Sequence, residues 1–346
     1  MWNISETDAA LTNGTALVHQ FMSLSLRNLF LMVHGGILLF LATCGLQTNV
    51  LNILIFRKLG LASSINISFL ALSAADLACT CSYAFMAVMM LDMSGLIRLP
   101  TNLAALQYPL TPVQRGLTAF GSWVTAIISF ERCCYVAFPM KAKLFFTRKL
   151  NICLIVGMFI VQTVTITSNL VFIRMTIYKS ALSDRPRIVV DNSASEKSLY
   201  VILLFWAASF PNFICFTVIV ASTAFLGISL KQRGKWLQSL PGPRYEETER
   251  NKRVVKTVVA ISAIYITCFL PGVLVILVLF AAPSIGLPDP QTDLTFILTI
   301  FVRNFEALSV MTNIFVYFKM NSKFNRCLKI LMCFACSQIR TRFLSD

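Results

Sequence analysis

Seven long apolar runs, separated by short polar segments, dominate the chain. Each is about 20 residues or longer, the length that a helix needs to cross the roughly 30 Å hydrocarbon layer of a bilayer. Such lengths favour helices over the strands of a barrel, which need only about ten residues per crossing. The runs are 29–56, 67–91, 113–138, 150–173, 199–230, 254–282 and 294–318, and the third is the least hydrophobic. The pattern predicts an all-α membrane protein with a bundle of seven transmembrane helices.

A short amphipathic stretch follows the seventh run, from 322 to 334. Helical spacing places its bases on one side and its large apolar residues on the other. The bases are Lys323, Arg326 and Lys329, and the apolar residues are Phe324, Leu328 and Leu331. This arrangement predicts an eighth helix that lies on the membrane surface. Cys333 and Cys336 come soon after it, either as palmitoylated anchors or as plain packing thiols.

Composition supports the membrane assignment. Of 346 residues, 57% are hydrophobic and only 13% are charged, and the mean hydropathy is +0.73. An ordinary soluble domain is about a quarter charged. So little polar surface cannot cover a water-facing globule of this size, which excludes disordered, collagenous and ordinary cytosolic classes.

The net charge of +15 is distributed unevenly across the predicted membrane. Twenty of the thirty Lys and Arg residues lie on one side, after the first, third, fifth and seventh runs. Because short basic loops stay in the cytoplasm, the amino terminus is predicted outside the cell and the carboxyl terminus inside, in a multi-pass protein of the plasma membrane. Membrane topology and attraction to anionic lipid are enough to explain why the basic residues collect on one side. The bilayer is therefore an expected partner, and nucleic acid is not.

The predicted topology divides the chain into three parts: an extracellular segment at 1–28, the transmembrane domain at 29–318, and a cytoplasmic helix and tail at 319–346. Two outer Asn-x-Ser/Thr sequons, at Asn3 and Asn13, are candidates for glycosylation, although such triplets also arise by chance. Substantial loops are expected only at 174–198 outside and 231–253 inside, and Pro241-Gly242-Pro243 in the inner loop predicts a turn or flexible linker.

Several charged residues lie inside the apolar runs. A charged side chain at mid-bilayer costs about 3 kcal/mol on insertion scales, so it usually faces a wet cavity or a partner. These residues are Asp76 in the second run, Arg115, Glu131 and Arg132 in the third, and Arg303 and Glu306 in the seventh. Arg303 and Glu306 are three residues apart, so they either form one internal pair on a helix face or remain available to a ligand.

Two prolines, Pro211 and Pro271, lie in the middle of the fifth and sixth runs. Each removes a backbone donor and kinks its helix. The kink is either static or a hinge.

In this order and spacing, the residues resemble the signature positions of rhodopsin-like (class A) G-protein-coupled receptors over essentially the whole chain. The matches are Asn49 in Gly45-Leu-Gln-Thr-Asn49, Leu72-Ser-Ala-Ala-Asp76, Glu131-Arg132-Cys133 where the family has Asp-Arg-Tyr, Pro211, Cys268-Phe269-Leu270-Pro271 where it has Cys-Trp-x-Pro, and Asn313-Ile314-Phe315-Val316-Tyr317 where it has Asn-Pro-x-x-Tyr. Each match alone is weak, and their order is the stronger signal. Shorter phrases look like molluscan members, many of which are proposed neuropeptide or chemosensory receptors.

The resemblance implies that an agonist binds an outer pocket and favours a state with the inner end of the sixth helix displaced. Pro271 would be the hinge, and Phe269 the bulky group below the pocket. Asp76, Ser309 and Asn313 resemble the family's buried sodium site.

At the inner end, the resemblance implies that Arg132 is held by Glu131 at rest and is freed to contact a heterotrimeric G protein. Tyr317 would then rotate inward to support it. Pro211 is the family's proline of the fifth helix.

The departures identify a divergent member. Gln107 stands where the family usually has a cysteine at the outer end of the third helix, and the second outer loop has no cysteine to join it. Phe269 replaces a tryptophan, Ile314 replaces a proline, and Gly121 stands where the sodium site often has a serine.

The ligand class is narrowed mainly by residues that known ligand classes require and that this chain lacks. Gln114 occupies the position where amine receptors place an aspartate, and Ala307 that of the retinal-binding lysine, so neither an amine receptor nor a photopigment is expected. Arg115 and Arg303 can clamp a carboxylate or a peptide terminus by paired hydrogen bonds, and Glu306 can take a basic group. The sequence favours a neuropeptide agonist, with a small waterborne chemical cue as the alternative.

A secondary transporter or channel is the alternative from another class, because it would also place charges inside membrane helices. Seven runs without internal symmetry argue against it. The two histidines, His19 and His34, have no ligand cluster or nucleophile around them, so neither an enzyme nor a cofactor is expected.

Overall fold

The fold is a bundle of long helices. A computed structural model describes residues 24–100, 106–170, 174–178, 187–191, 197–236, 243–281 and 293–331. Its helices are α1 (Leu24–Leu59), α2 (Ser64–Met93), α3 (Gln107–Ala137), α4 (Pro139–Phe145), α5 (Arg148–Leu170), α6 (Lys197–Trp236), α7 (Pro243–Ala281), α8 (Asp293–Met320) and α9 (residues 322–331). Two strands, β1 (Arg174–Tyr178) and β2 (Arg187–Asp191), form an antiparallel pair with Arg174 opposite Asp191.

Short connections make consecutive long helices antiparallel neighbours. We call the end of the bundle at which α1 begins the upper end, and the end at which α1 finishes the lower end. Helix α2 is central, because it packs against α1, α3 and α8. Helix α5 is peripheral. In its most apolar stretch only 17% of the residues are buried inside the protein, against 56% in the corresponding stretch of α2.

Six of the described helices are long and apolar enough to cross a membrane, namely α1, α2, α5, α6, α7 and α8. The seventh long helix, α3, coincides with the run that the sequence marks as least hydrophobic. The architecture is that of a helical, multi-pass membrane protein, as the sequence predicts.

Polarity is inverted relative to a soluble protein. Large apolar side chains such as Phe40, Phe159 and Ile228 face outward, each more than half exposed. Asp76, Glu131 and several serine and asparagine side chains are buried instead. Lipid can cover the outward apolar surface, whereas the buried polar groups must find hydrogen-bond partners inside the bundle.

The prediction of an inner loop at 231–253 is wrong. Helix α6 continues to Trp236 and α7 already begins at Pro243, so only 237–242 separates them. Proline is favourable at the start of a helix, and the sequence from 244 to 253 contains no further proline or glycine that would end it. These signals extend the helices beyond the apolar runs, which mark only the membrane-facing part.

Helix α4 and the β1–β2 pair are elements that hydropathy does not predict. Helix α4 begins with Pro139 at its first turn and contains seven residues, too few to register as an apolar run. The two strands lie within the segment between α5 and α6, which was expected to be a loop.

Residues 322–331 of the predicted surface helix are helical, as α9, but the apolar side chains Phe324 and Leu328 pack inward instead of facing lipid. Phe324 and Leu328 are 0% and 7% exposed, and they belong to a core cluster that includes Phe56 and Tyr317. The Asn321 Oδ1 atom accepts a 3.1 Å bond from the Phe324 backbone N–H and so caps the helix. The modification candidates Asn3, Asn13, Cys333 and Cys336 lie outside the described residues.

Candidate functional site

A polar cluster in the upper half of the bundle joins α2, α3 and α8. The Glu306 carboxylate accepts hydrogen bonds from the Tyr83 hydroxyl and from the Gln114 amide, each at 3.0 Å. The Gln114 amide also donates to the Tyr83 oxygen at 2.9 Å and to the Thr118 hydroxyl at 3.1 Å. Tyr83 and Gln114 are buried. The cluster is therefore a closed network of neutral donors around one carboxylate.

Arg303 lies beside this network, on the same helix as Glu306 and 7% exposed. Its guanidinium donates to the Thr111 hydroxyl at 3.2 Å. Within the described part of the chain, no salt bridge joins Arg303 to Glu306, although the two charges attract each other electrostatically. The internal pair that the three-residue spacing allowed does not form. Among the described residues, Arg303 is thus a buried cation whose hydrogen-bond partner is a neutral hydroxyl.

Arg115 follows Gln114 on α3, and its side chain is exposed. It interacts electrostatically with both Arg303 and Glu306. The two arginines of the predicted clamp therefore lie near one acid, and together these three groups carry a local excess of positive charge. That balance favours an anionic partner.

Below the cluster, a cavity of about 20 Å³ opens between α2, α3, α7 and α8. Such a volume holds one water molecule or a small ion. Oxygen-bearing side chains are contributed by seven of its lining residues: Asp76, Thr118, Ser122, Thr125, Tyr265, Ser309 and Asn313. Thr118 belongs to both the cavity and the Gln114 network, so the two polar regions are directly connected.

The three predicted sodium-site residues meet at this cavity. The Asp76 Oδ2 atom accepts a 2.7 Å bond from the Asn313 amide, and Ser309 lies in the same wall. The Asp76 Oδ1 atom accepts no hydrogen bond from any described residue. At Gly121 a Cβ atom would lie 3.9 Å from that oxygen, so the absent side chain leaves space beside the carboxylate. A carboxylate, a hydroxyl and an amide are hard oxygen donors that fit a sodium ion.

Hydroxyl groups join α7 to α3 at the cavity and beneath it. The Tyr265 hydroxyl donates to the Ser122 oxygen at 2.7 Å, and the Ser129 and Ser262 hydroxyls lie 2.8 Å apart. Phe269, one turn above Tyr265, stacks on it with ring centroids 4.1 Å apart. Pro271 follows in the same helix, and Pro211 lies within α6.

The lower end of α3 carries the predicted Glu131–Arg132 ion pair. The Arg132 guanidinium donates to Glu131 Oε1 at 2.7 Å, and the Ser64 hydroxyl donates to the same oxygen at 3.3 Å. Glu131 is fully buried, while the Arg132 side chain stays 15% exposed and lies over the Tyr135 ring at 4.7 Å. The second carboxylate oxygen of Glu131 and the Nε atom of Arg132 are buried without hydrogen-bond partners.

Tyr317 is fully enclosed by aromatic side chains near the lower end. Its ring lies 5.0 Å from Phe56, 5.1 Å from Phe69 and 5.5 Å from Phe324, measured between centroids. Its hydroxyl is buried, and the Ser73 side chain on α2 lies close enough to interact with it.

Three residues that the sequence analysis did not select belong to the site: Tyr83, Thr118 and Tyr265. A signal for two of them was present. Tyr83 is seven residues after Asp76, and Thr118 is four after Gln114, so each lies on the same helix face as a selected residue. Tyr265 lies one turn before Phe269 on α7.

No family model matches the chain, and no curated protein matches it.

Proposed function

We propose that the chain is a divergent rhodopsin-like G-protein-coupled receptor. Its seven long helices, α1–α3 and α5–α8, would all cross the plasma membrane, with the upper end outside and the lower, base-rich end in the cytoplasm. An agonist at the upper end would raise the rate at which a heterotrimeric G protein exchanges nucleotide at the lower end.

The observation that carries this proposal is the way α7 is fastened to α3. Tyr265–Ser122 and Ser129–Ser262 are hydroxyl bonds between neutral groups, which water or a neighbouring hydroxyl can replace at small cost. They lie between Arg303, a buried cation that forms no salt bridge with any described residue, and Arg132, an arginine that Glu131 holds. A contact that can open between two charged ends is the element that a receptor requires.

The upper charges would set the agonist chemistry. Glu306 already accepts two hydrogen bonds, whereas Arg303 offers a guanidinium beside a second arginine. A carboxylate, such as the terminus of a neuropeptide, would pair with Arg303 in a bidentate geometry. A small waterborne acid has the same chemistry, so a chemosensory receptor remains the alternative ligand class.

The activation sequence follows from the contacts. Agonist pairing at Arg303 would perturb the Glu306–Gln114–Thr118 network, and Thr118 would carry that change into the cavity wall. Loss of the Tyr265–Ser122 bond would let α7 pivot at Pro271. Separation of the lower ends of α3 and α7 would then open a space in which a bound G protein could draw the Arg132 side chain away from Glu131.

A bound sodium ion would supply one positive charge at Asp76, and Asp76, Ser309 and Asn313 would hold it. Asp76 keeps the Asn313 amide oriented toward the cavity whether or not that charge is present.

The test is reconstitution of the full chain in lipid nanodiscs with a promiscuous G protein, followed by a screen of neuropeptides and small carboxylates for stimulated nucleotide exchange. A hit on the parent chain that is lost when Arg132→Ala is introduced supports the proposal. Solute uptake by vesicles containing the chain, without exchange activity, would instead identify a transporter.

A further inference from the structure

Four large apolar side chains are strongly exposed around α4, at the lower end of the bundle. Met140 and Leu144 are 83% and 78% exposed, and Phe138 and Phe145 are 64% and 68% exposed. We call these four residues the α4 patch. Contiguous exposed apolar surface of this kind marks a site of contact with another molecule or with a membrane.

The patch faces away from the bundle because of the way α4 is anchored. Ala142 is 3% exposed, so it is the face of α4 that packs against the protein. Met140 and Leu144 are two residues before and after it, which places them together on the opposite face of the helix. Packing against the chain itself therefore leaves the patch uncovered.

Charge identifies the chemistry of the surface that covers the patch. The segment 138–149 contains four bases and no acid. Lys141, Arg148 and Lys149 are exposed. An apolar stripe flanked by bases, on a short helix, is typical of a helix that lies in the headgroup region of an anionic membrane.

The patch is also continuous with the outward apolar surface of the spanning helices. Phe146, directly after α4, lies 6.2 Å from Phe130 between ring centroids, and Phe130 is half exposed on the outside of α3. Leu150 and Ile152 continue the exposed apolar surface onto α5. The hydroxyl of Tyr135 donates to the Phe146 carbonyl at 3.3 Å and fixes the connection between α3 and α5.

We propose that α4 is an interfacial membrane anchor: Met140, Leu144 and Phe145 insert among the lipids of the lower leaflet, and Lys141, Arg148 and Lys149 bind anionic headgroups. The inference depends on the membrane location of the chain and not on its signalling activity. It holds even if the receptor proposal fails.

The experiment measures how deeply position 140 enters the bilayer. The full chain carrying Met140→Trp is placed in phosphatidylcholine nanodiscs whose acyl chains are brominated, with or without phosphatidylserine, and the signal of the parent chain is subtracted. A matched control carries Lys323→Trp, on the exposed polar side of α9. We expect strong loss of fluorescence at position 140 and little at position 323.

Anionic lipid should strengthen the quenching at position 140, and a second substitution, Lys141→Gln, should weaken that dependence. One base near an anionic surface changes the ratio of docked to undocked helix by roughly fivefold. Leu144→Trp provides the same readout if Met140→Trp fails to fold, and the thermal melting of each variant identifies such a failure.

Equal quenching at positions 140 and 323, with and without phosphatidylserine, would overturn the proposal. So would fluorescence at position 140 that responds to added G protein but not to brominated lipid, because that outcome assigns the patch to a protein partner.

Discussion

The two ends of the bundle each hold an arginine and a glutamate, one of the two buried at each end, but they use the charges in opposite ways. At the lower end, Arg132 and Glu131 are adjacent in sequence and form a 2.7 Å ion pair. At the upper end, Arg303 and Glu306 share one face of α8, yet no salt bridge joins them, and Glu306 accepts hydrogen bonds from Tyr83 and Gln114 instead.

The difference follows from the neighbouring helices and not from spacing. Residues three apart on a helix are well placed to pair and adjacent residues are not. Tyr83 from α2 and Gln114 from α3 nevertheless donate hydrogen bonds to the Glu306 carboxylate. At the lower end, the Ser64 hydroxyl donates to the same Glu131 oxygen that Arg132 binds. A charge in the membrane interior is costly unless it is paired. Arg303, which is buried and has no ion pair among the described residues, is therefore well suited to receive a ligand's acid.

The largest expected effect comes from Arg303→Ala. Loss of a charge-assisted hydrogen bond to the agonist corresponds to about 2 kcal/mol, or roughly a thirtyfold rise in the agonist concentration needed for half-maximal exchange. Surface expression should not fall, because the change removes a buried charge that forms no salt bridge with any described residue.

Arg303→Lys is the matched control for this prediction. It keeps the charge and loses the fork geometry, so potency should be intermediate. Unchanged potency in Arg303→Ala would show that Arg303 does not contact the agonist. The upper end would then have no stronger claim to ligand binding than the lower end.

Glu131→Gln addresses the lower end and should have the next largest effect. The amide retains an acceptor for Arg132 but loses the opposite charge, which weakens the resting state by about 1 kcal/mol and raises agonist-independent exchange roughly fivefold. Basal nucleotide exchange is the measurement.

Ser64→Ala separates the ion pair from its support, because Ser64 donates to the same Glu131 oxygen and bears no charge. It should raise basal exchange less than Glu131→Gln does. Equal effects of the two substitutions would mean that packing, and not charge, holds the lower end.

Hydropathy and motif order predict most of the architecture. The lengths of the apolar runs locate the long helices, since apolar length is what a bilayer selects. Motif positions also locate Asp76, Ser309 and Asn313, which the fold brings to one cavity. The segment 243–253 shows the limit of this approach, because helix propensity continues α7 beyond the region where hydropathy carries information.

Contacts between helices account for what the sequence could not reveal. The pairing of Glu306 with Tyr83 depends on how α2 and α8 rotate against each other, and no spacing within one helix contains that information. Phe324 and Leu328 likewise have the pattern of a membrane-surface helix, but the aromatic cluster around Tyr317 offers them a protein partner. Amphipathicity predicts that a face is buried and not which surface buries it.

Glu306→Gln sharpens the comparison at the upper end and should have a smaller effect. It keeps an acceptor for the donors from Tyr83 and Gln114, and it removes a negative charge near Arg303 and Arg115. The local potential becomes more positive, so an anionic agonist should gain roughly threefold in potency, an electrostatic change of about 0.7 kcal/mol. Raising the salt concentration should reduce that gain. A loss of potency would indicate that Glu306 binds a basic group of the agonist.

Tyr83→Phe has the smallest expected effect, and Tyr265→Phe is its control. Each substitution removes one buried hydroxyl that donates a hydrogen bond, to Glu306 in the first case and to Ser122 in the second. The Gln114 amide still donates to Glu306 when Tyr83 is changed, so the loss should be about 0.5 kcal/mol, or roughly twofold in agonist potency.

The two tyrosine variants should differ in whether agonist potency or basal exchange changes more. Tyr83 lies in the upper network, so Tyr83→Phe should change potency more than basal exchange. Tyr265 joins α7 to α3, so Tyr265→Phe should change basal exchange more than potency. If both variants shift the same readout, the upper network and the α3–α7 contact respond as one unit, and the distinction between a ligand-receiving end and a latched end no longer holds.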